Sequence, residues 1–154
     1  MIRRATKDDI TGLLRLLRQI ADLHYAGRPD IFNVGSKKYS ASQLELILAD
    51  ANQPVYVAVD GENYIMGYCF CQLKQVNHSV LRGILTLHID DFCVEERLRG
   101  QGIGKQLFKA AEAFARMSGA YNIDLNVWEF NGGAISFYED LGFDTQRRCM
   151  ELIL

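Results

Sequence analysis

From Leu85 the chain reads Leu-Thr-Leu-His-Ile-Asp-Asp-Phe-Cys-Val, crosses a short charged turn, and enters Arg99-Gly100-Gln101-Gly102-Ile103-Gly104-Lys105 before an amphipathic run that includes Phe108. A strand-like segment that passes through glycines spaced by two into a helix restricts the fold more than any other stretch. Glycine opens backbone conformations closed to other residues and lets the chain approach a ligand closely. A helix starting there leaves several N–H groups without carbonyl partners beside the positive end of its dipole, which favours an anion, phosphate above all. Two familiar phosphate loops fail on the residues. A dinucleotide fingerprint read from Gly100 finds Lys105 where its last glycine belongs. A P-loop finds Arg99 in place of its first glycine, and Gln106 where Ser or Thr should follow Gly104-Lys105.

The rest of the chain supplies a compatible frame. Ile2–Ala5 reads as a short strand, and Thr6-Lys-Asp-Asp9 offers a cap for a helix whose Ile10, Leu13, Leu14, Leu17 and Ala21 recur at helical spacing as far as Gly27. Pro29 ends it, so Arg28–Phe32 with His24 and Tyr25 gathers aromatic and ionisable side chains beside a loop, as a packed helix end or as part of a pocket. Ser40–Ala51 is a second helix through Leu44, Ile47 and Leu48. Val55–Val59, Tyr64–Lys74 and the run Leu81–Val94 are strands joined by turns at Asp60–Asn63 and Asn77-His78-Ser79, an antiparallel meander. After the glycines, Ile103, Leu107, Ala110, Ala111, Phe114 and Ala115 share a helix face up to Gly119. Asn122–Trp128 is a strand, Ala134–Leu141 a helix ended by Gly142, and Phe143–Leu154 a last strand or strand pair.

A chain of 154 residues is expected to form one domain, 1–154, large enough for a proper core. With 49% apolar residues and a net charge of −2, it offers no general attraction to nucleic acid or anionic lipid, so the expected phosphates belong to a small molecule. Cys69 and Cys71 alternate onto one strand face. A Cys-x-Cys half-site for zinc has no second pair to complete it, so no metal is expected and Cys69, Cys71, Cys93 and Cys149 read as structural thiols. Met1–Ile10 lacks the apolar core of a signal peptide and no run approaches a membrane span, which together place the protein in a reducing cytoplasm, away from membranes.

Two motifs carry a resemblance. Arg99 to Gly104 matches Arg/Gln-x-x-Gly-x-Gly/Ala, and Asn131-Gly-Gly-Ala134-Ile-Ser-Phe137-Tyr138-Glu-Asp-Leu-Gly142-Phe143 matches Asn-x-x-Ala-x-x-Phe-Tyr-x-x-x-Gly-Phe. In this order and spacing, over roughly residues 84–145, the chain resembles the GNAT N-acetyltransferases. The resemblance implies an α+β fold with a mixed central sheet of about six or seven strands flanked by about four helices. It implies acetyl-CoA as co-substrate, its pyrophosphate on the N–H groups of Arg99, Gly100, Gln101, Gly102, Ile103, Gly104 and Lys105, with the Arg99 guanidinium and the Lys105 ammonium adding charge. Arg97 reads as a solvated turn residue. The pantetheine arm is implied to pair with the backbone of Phe92, Cys93 and Val94, where that strand and Asn122–Trp128 splay apart, and Asn131 to bond its amides, although a plain helix cap has the same sequence.

Transfer to an amine needs donors for the carbonyl as it turns negative, a route for the amine's proton and a proton for the departing thiolate. By resemblance, a backbone N–H near Phe92 or Cys93 is the oxyanion donor and Tyr138 the general acid, with its neighbour Phe137 turned into the core. For the amine's proton, strand alternation sends His88 and Asp90 to one face and Asp91 to the other. Asp90 stands where many relatives carry Glu, and His88, with an ordinary pKa of about 6.5, is the alternative base. Cys93 has no His–carboxylate pair to activate it, so transfer is expected directly within a ternary complex. The expected acceptor is a primary amine, towards small cationic amines on the likeness of Ile89–Phe92 to the diamine acetyltransferases. A protein lysine or N-terminal amine, or a non-catalytic acetyl-CoA sensor, are the other readings. The apolar end, Cys149–Leu154, suits a strand shared across a homodimer or an inner strand.

Overall fold

The computed structural model describes residues 1–154 except Val76 and His78, so the turn read at Asn77-His78-Ser79 lies partly outside the described residues. The strands are β1 (Ile2–Arg4), β2 (Val55–Val59), β3 (Ile65–Gln75), β4 (Leu85–Val94) and β5 (Asn122–Leu125), and the helices are α1 (Ile10–Gly27), α2 (Ala41–Ala49), α3 (Ile103–Met117) and α4 (Gly132–Asp140). The strands form one sheet in the order β1-β2-β3-β4-β5. Its first four strands are antiparallel and β5 runs parallel to β4, reached through α3. The class is α+β with a mixed sheet, as expected.

Both faces of the sheet are covered. Leu13, Leu16 and Leu17 of α1 and Leu44 of α2 are fully buried against Val55, Val57, Val59, Tyr68 and Phe70. On the opposite face Ile103, Leu107, Phe108, Ala111 and Ala115 of α3 cover Cys69, Cys71, Leu87 and Ile89. Each such aliphatic side chain contributes about 1.5–3 kcal/mol relative to exposure. Cys69 and Cys71 share the α3 face with their sulfurs 3.5 Å apart, and all four cysteines are free thiols.

The expected sixth and seventh strands are absent among the described residues: 143–154 form no strand. Their alternation suits a strand, but a strand needs a ladder partner, and this segment makes none. Phe143 packs on Phe108 and Tyr138, and Glu151 pairs with Arg28. Met150, Leu152 and Ile153 are 88%, 84% and 75% exposed. Among the described residues no helix is long and apolar enough to cross a membrane.

The entry into α1 is fixed by Asp9, buried at 5% exposure. Its carboxylate accepts from both guanidinium nitrogens of Arg3, at 2.7 and 2.9 Å, and from the Thr6 N–H at 2.7 Å. The Arg3 bonds, with Thr6 adding, hold its pKa below the ordinary range despite burial. Asp9→Ala should lower the unfolding free energy by about 2 kcal/mol at neutral pH, the scale of a lost hydrogen-bonded charge. Because the folded pKa is depressed, this contribution is present above the unfolded value near 4 and is lost as pH falls through the folded one. Urea unfolding of wild type and variant should therefore converge in acid.

Candidate functional site

The site is shaped by one irregularity. Across the β3–β4 ladder Phe70 opposes Asp91 and Cys71 opposes Ile89, so Asp90 has no opposite residue and forms a β-bulge. A bulge adds one residue to a strand and re-aims the side chains beside it. Ile89 accordingly packs on the α3 side whereas Cys93 packs on the α1 side. Strict alternation would have placed them together. The expectation that Asp91 points away from Asp90 is therefore overturned, and both carboxylates face the loop between α1 and α2.

There they meet Lys38. Its ammonium lies 3.0 Å from Asp90 Oδ2 and 3.7 Å from Asp91 Oδ2, and donates to the Asp90 carbonyl at 2.6 Å. The Tyr39 hydroxyl donates to Asp90 Oδ2, and Tyr68 Oη donates to Asp91 Oδ1 at 3.1 Å. Burial raises the pKa of Asp91, while Lys38 and Tyr68 oppose the rise. Burial also keeps the Tyr39 and Tyr68 phenols protonated as donors. His88 is tied to its neighbour on β5, with Nδ1 2.7 Å from Asp124 Oδ1.

Pairing of β4 with β5 ends at Ile89 and Leu125. The strand expected to continue to Trp128 stops there, because residues 126–130 leave the sheet as a loop. Asp90–Val94 thus lacks a neighbour on that side, and the parting opens a cavity of about 500 Å³. Asp90, Asp91, Phe92, Lys38, Asn131 and Tyr138 all line it. Towards α1 its wall is aromatic: His24 stacks on Phe32 at 5.2 Å and Phe32 meets Trp128 edge-on at 5.3 Å, with Phe130, outside the lining itself, stacked on Trp128 at 6.1 Å. Burial, with Lys38 adding, lowers the His24 pKa and favours a neutral ring. His24 and Phe32 thus serve as pocket wall as well as helix end. Phe130 and Tyr39 were not foreseen, because they lie on irregular segments that show no periodicity, and Trp128 was read only as the end of a strand.

Beside this cavity stands the glycine loop. Gly100 and Gly102 have φ of +76° and +78°, a left-handed region that favours glycine. Gly104 serves a different end: a Cβ there would meet the Phe137 ring at 3.0 Å, so the start of α3 packs closely on α4. Gln106 N–H is the first to bond back into α3, to Gly102 O, which leaves the N–H groups of Ile103, Gly104 and Lys105 without a carbonyl inside the helix. Lys105 and Gln101 are exposed, whereas Ile103 is buried in the α3 core. Arg99 Nε donates to Val94 O at 3.3 Å, fastening the loop to the end of β4. Arg97 is an exposed turn residue paired with Glu95.

On α4 the two adjacent rings are both half-buried and meet different neighbours. Phe137 packs on Phe92 and Gly104, while Tyr138 lies against Phe92 and Phe143 and also lines the cavity. Burial raises the Tyr138 pKa, so the phenol keeps its proton at neutral pH. Asn131 caps α4, its Oδ1 accepting from Ala134 N at 3.2 Å, and reaches the same cavity. Cys93 is buried beside Gln19, and burial, aided by Asp91, pushes its thiol up to about 12, which makes it a poor nucleophile. The Val94 carbonyl accepts from Gln19 Nε2 at 3.2 Å.

These features coincide with a known family. The model of the acetyltransferase (GNAT) family matches residues 17–143, and the chain belongs to that family. An uncharacterized N-acetyltransferase of Methanocaldococcus jannaschii is 28% identical over 144 residues, covering 93% of this chain; the chain spans 60% of that protein's length. Thialysine N-epsilon-acetyltransferase of Bos taurus is 26% identical over 152 residues, 92% of this chain and 82% of that one. Among solved structures, a mutant form of a Bacillus halodurans protein superposes over 100% of this chain and 99% of its own with a TM-score of 0.96 at 32% identity. An aminoglycoside N-acetyltransferase in complex with CoA shares the fold, with a TM-score of 0.75 at 16% identity over 100% and 98% of the two chains.

The raised pKa of Asp91 has a consequence for stability. A carboxyl whose folded pKa exceeds its unfolded value stabilises the fold only while protonated, and that stabilisation is lost as pH rises through the folded pKa. Removing the charge forfeits the Lys38 contact at 3.7 Å, but Lys38 is 40% exposed and such pairs contribute at most about 1 kcal/mol. Asp91→Asn should therefore raise Tm by a few degrees at pH 7 and by less at pH 4, as read by thermal melts at the two pH values.

Proposed function

We propose that the protein transfers the acetyl group of acetyl-CoA to a primary amine by direct attack in a ternary complex, and that the acceptor is a small cationic amine. The observation that carries this reading is the pair of carboxylates, Asp90 and Asp91, turned by the bulge towards one ammonium inside a cavity that Tyr138 also lines. A cationic amine suits that position, since the aromatic wall of Phe32 and Trp128 attracts a cation through its ring faces. The name of one relative, a thialysine N-epsilon-acetyltransferase, points the same way.

The chain's features fit the coenzyme. The unpaired N–H groups at the start of α3, with Arg99, Gly100, Gln101, Gly102 and Lys105, suit a pyrophosphate, and the open edge of β4 at Phe92, Cys93 and Val94 suits an extended amide-bearing arm. Asn131 borders that path. When bound, acetyl-CoA supplies the activated thioester. Asp90 orients the ammonium, and the carboxylate pair draws off its proton, burial making Asp91 more basic than an ordinary carboxylate. A backbone N–H at Phe92 or Cys93 donates to the carbonyl oxygen as charge develops there. Tyr138 holds a proton for the departing sulfur. Four free thiols support a reducing cytoplasm as the place of work. A second copy laying its tail along the open edge of β5 would cover Met150, Leu152 and Ile153, the homodimer that is one of the two readings given to this tail above.

Calorimetric titration with acetyl-CoA, followed by thiol release over a panel of polyamines, amino acids, aminoglycosides and a peptide, tests the reading. It predicts binding and release with one class of cationic small amine. Release with the peptide alone would transfer the function to protein acetylation, and binding without release from any acceptor would leave a sensor. Gly102→Asp brings a negative charge and a side chain to a residue at φ +78°, and should abolish the heat of binding. Unchanged affinity in that variant would sink the loop assignment. Tyr138→Phe should lower kcat about 100-fold at unchanged acetyl-CoA affinity, the scale of a lost proton donor.

A further inference from the structure

Lys38 is a primary amine already lodged at the place assigned to the acceptor. It stands on the loop between α1 and α2, two residues before the capping Ser40 of α2, and its Nζ holds three oxygens of the bulge: both Asp90 oxygens named above and Asp91 Oδ2. An ordinary surface ion pair has one carboxylate and contributes at most about 1 kcal/mol. This ammonium sits between two, at a cavity shared with Tyr138 and Phe92. Lys37, next to it in sequence, also lines the cavity but has no ion pair among the described residues. From this geometry we infer that Lys38 is a self-acetylation site: in the absence of an external amine, the protein transfers acetyl from its own bound acetyl-CoA to Lys38 Nζ. The inference rests on the acetyl-transfer reading above.

The step balances without any further reactant. The Lys38 ammonium gives one proton to the carboxylate pair or through it to water, and the neutral amine attacks the thioester carbonyl. An N–C bond forms and the C–S bond breaks. The sulfur departs as a thiol with the proton held by Tyr138, and the second proton, which leaves the nitrogen as the amide forms, passes through water to the Tyr138 phenolate and restores it. The product is an uncharged acetyl-lysine, which loses its attraction for Asp90 and Asp91. Those carboxylates are then open to the ammonium of an external substrate. Self-acetylation would thus remove an internal competitor from the acceptor site.

The test uses the full chain with deuterated acetyl-CoA and no amine, with peptide mapping by mass spectrometry over time. Lys38 should take up label at least tenfold faster than Lys37 and than Lys109 on α3, at a rate per molecule independent of protein concentration. Tyr138→Phe should slow labelling of Lys38 and leave Lys109 unaffected, and Lys38→Arg should remove the fast-labelled peptide. Labelling of Lys38 no faster than Lys37, or at a rate proportional to protein concentration, would overturn the inference. Thiol release with the amine panel, run in parallel, separates the two levels. Turnover of external amines with Lys38 unlabelled would sink self-acetylation alone, whereas neither turnover nor heat of acetyl-CoA binding would sink both.

Discussion

The single extra residue in β4 sets the geometry of everything that follows it. Without the bulge at Asp90, Asp91 would turn under α3 among Leu87, Ile89 and Leu107, where a carboxylate finds only apolar neighbours. With it, two acids face the α1 side and Phe92 faces α3 and α4, where it supports Tyr138 and Phe137. The same strand leaves its partner β5 just before the bulge, at Ile89. One strand thus provides an acidic face, an aromatic face and an open backbone edge within five residues, Asp90 to Val94.

That arrangement opposes stability. Burying Asp91 costs free energy in its charged form, and leaving half of β4 unpaired forgoes ladder hydrogen bonds. The cost is offset elsewhere, by the leucines of α1 and by the α3 face, both packed on the parts of the sheet that remain regular. An unpaired strand edge and solvent-poor charge gather where chemistry is proposed, while β2 and β3 carry an ordinary core. Structures keep such irregularities only where the surroundings hold them in place.

How much of this was legible in the sequence follows from which interactions are local. The turn of α3 was readable because Gly100 and Gly102 answer to their own φ angles and Leu107, Ala111 and Ala115 to helical spacing. Tyr138 and Asn131 were readable through a motif whose residues sit on one short helix and its cap. The bulge was not, since it exists only in the register between two strands and Asp90 looks like any other residue in an alternating run. The aromatic wall was half hidden: the stretch around Phe32 and His24 was readable as a helix end or a pocket edge, but its meeting with Trp128 and Phe130 from a second loop is made only by the fold. The tail misled for the opposite reason, because Cys149–Leu154 has strand composition with no strand to join.

The two halves of the site are held with very different force. At the end proposed for the coenzyme, Glu95 follows β4 directly and is buried at 7% exposure. It accepts from Tyr64 Oη at 2.6 Å and from Arg15 at 3.1 Å, with Arg97 also paired to it. Arg15 further donates to the Ile65 carbonyl at 2.5 Å, so α1, β3 and the end of β4 are tied together just before the glycine loop begins. At the end proposed for the acceptor, Lys38 on the two aspartates and Tyr39 stacked on buried Phe70 hold the end of the loop, whereas its segment 28–35 is joined by exposed polar contacts, Arg28 to Asp30 and Glu151 and Arg18 to Gly35. Exposed pairs of this kind contribute little and are screened by salt. Breaking a buried, multiply bonded carboxylate such as Glu95 costs several kcal/mol. The segment 28–35 can therefore shift at smaller cost than Lys38, Tyr39 or the glycine loop, all of which stay tied to β4, and that is the division the proposed function calls for: one constant ligand held while varied acceptors are admitted.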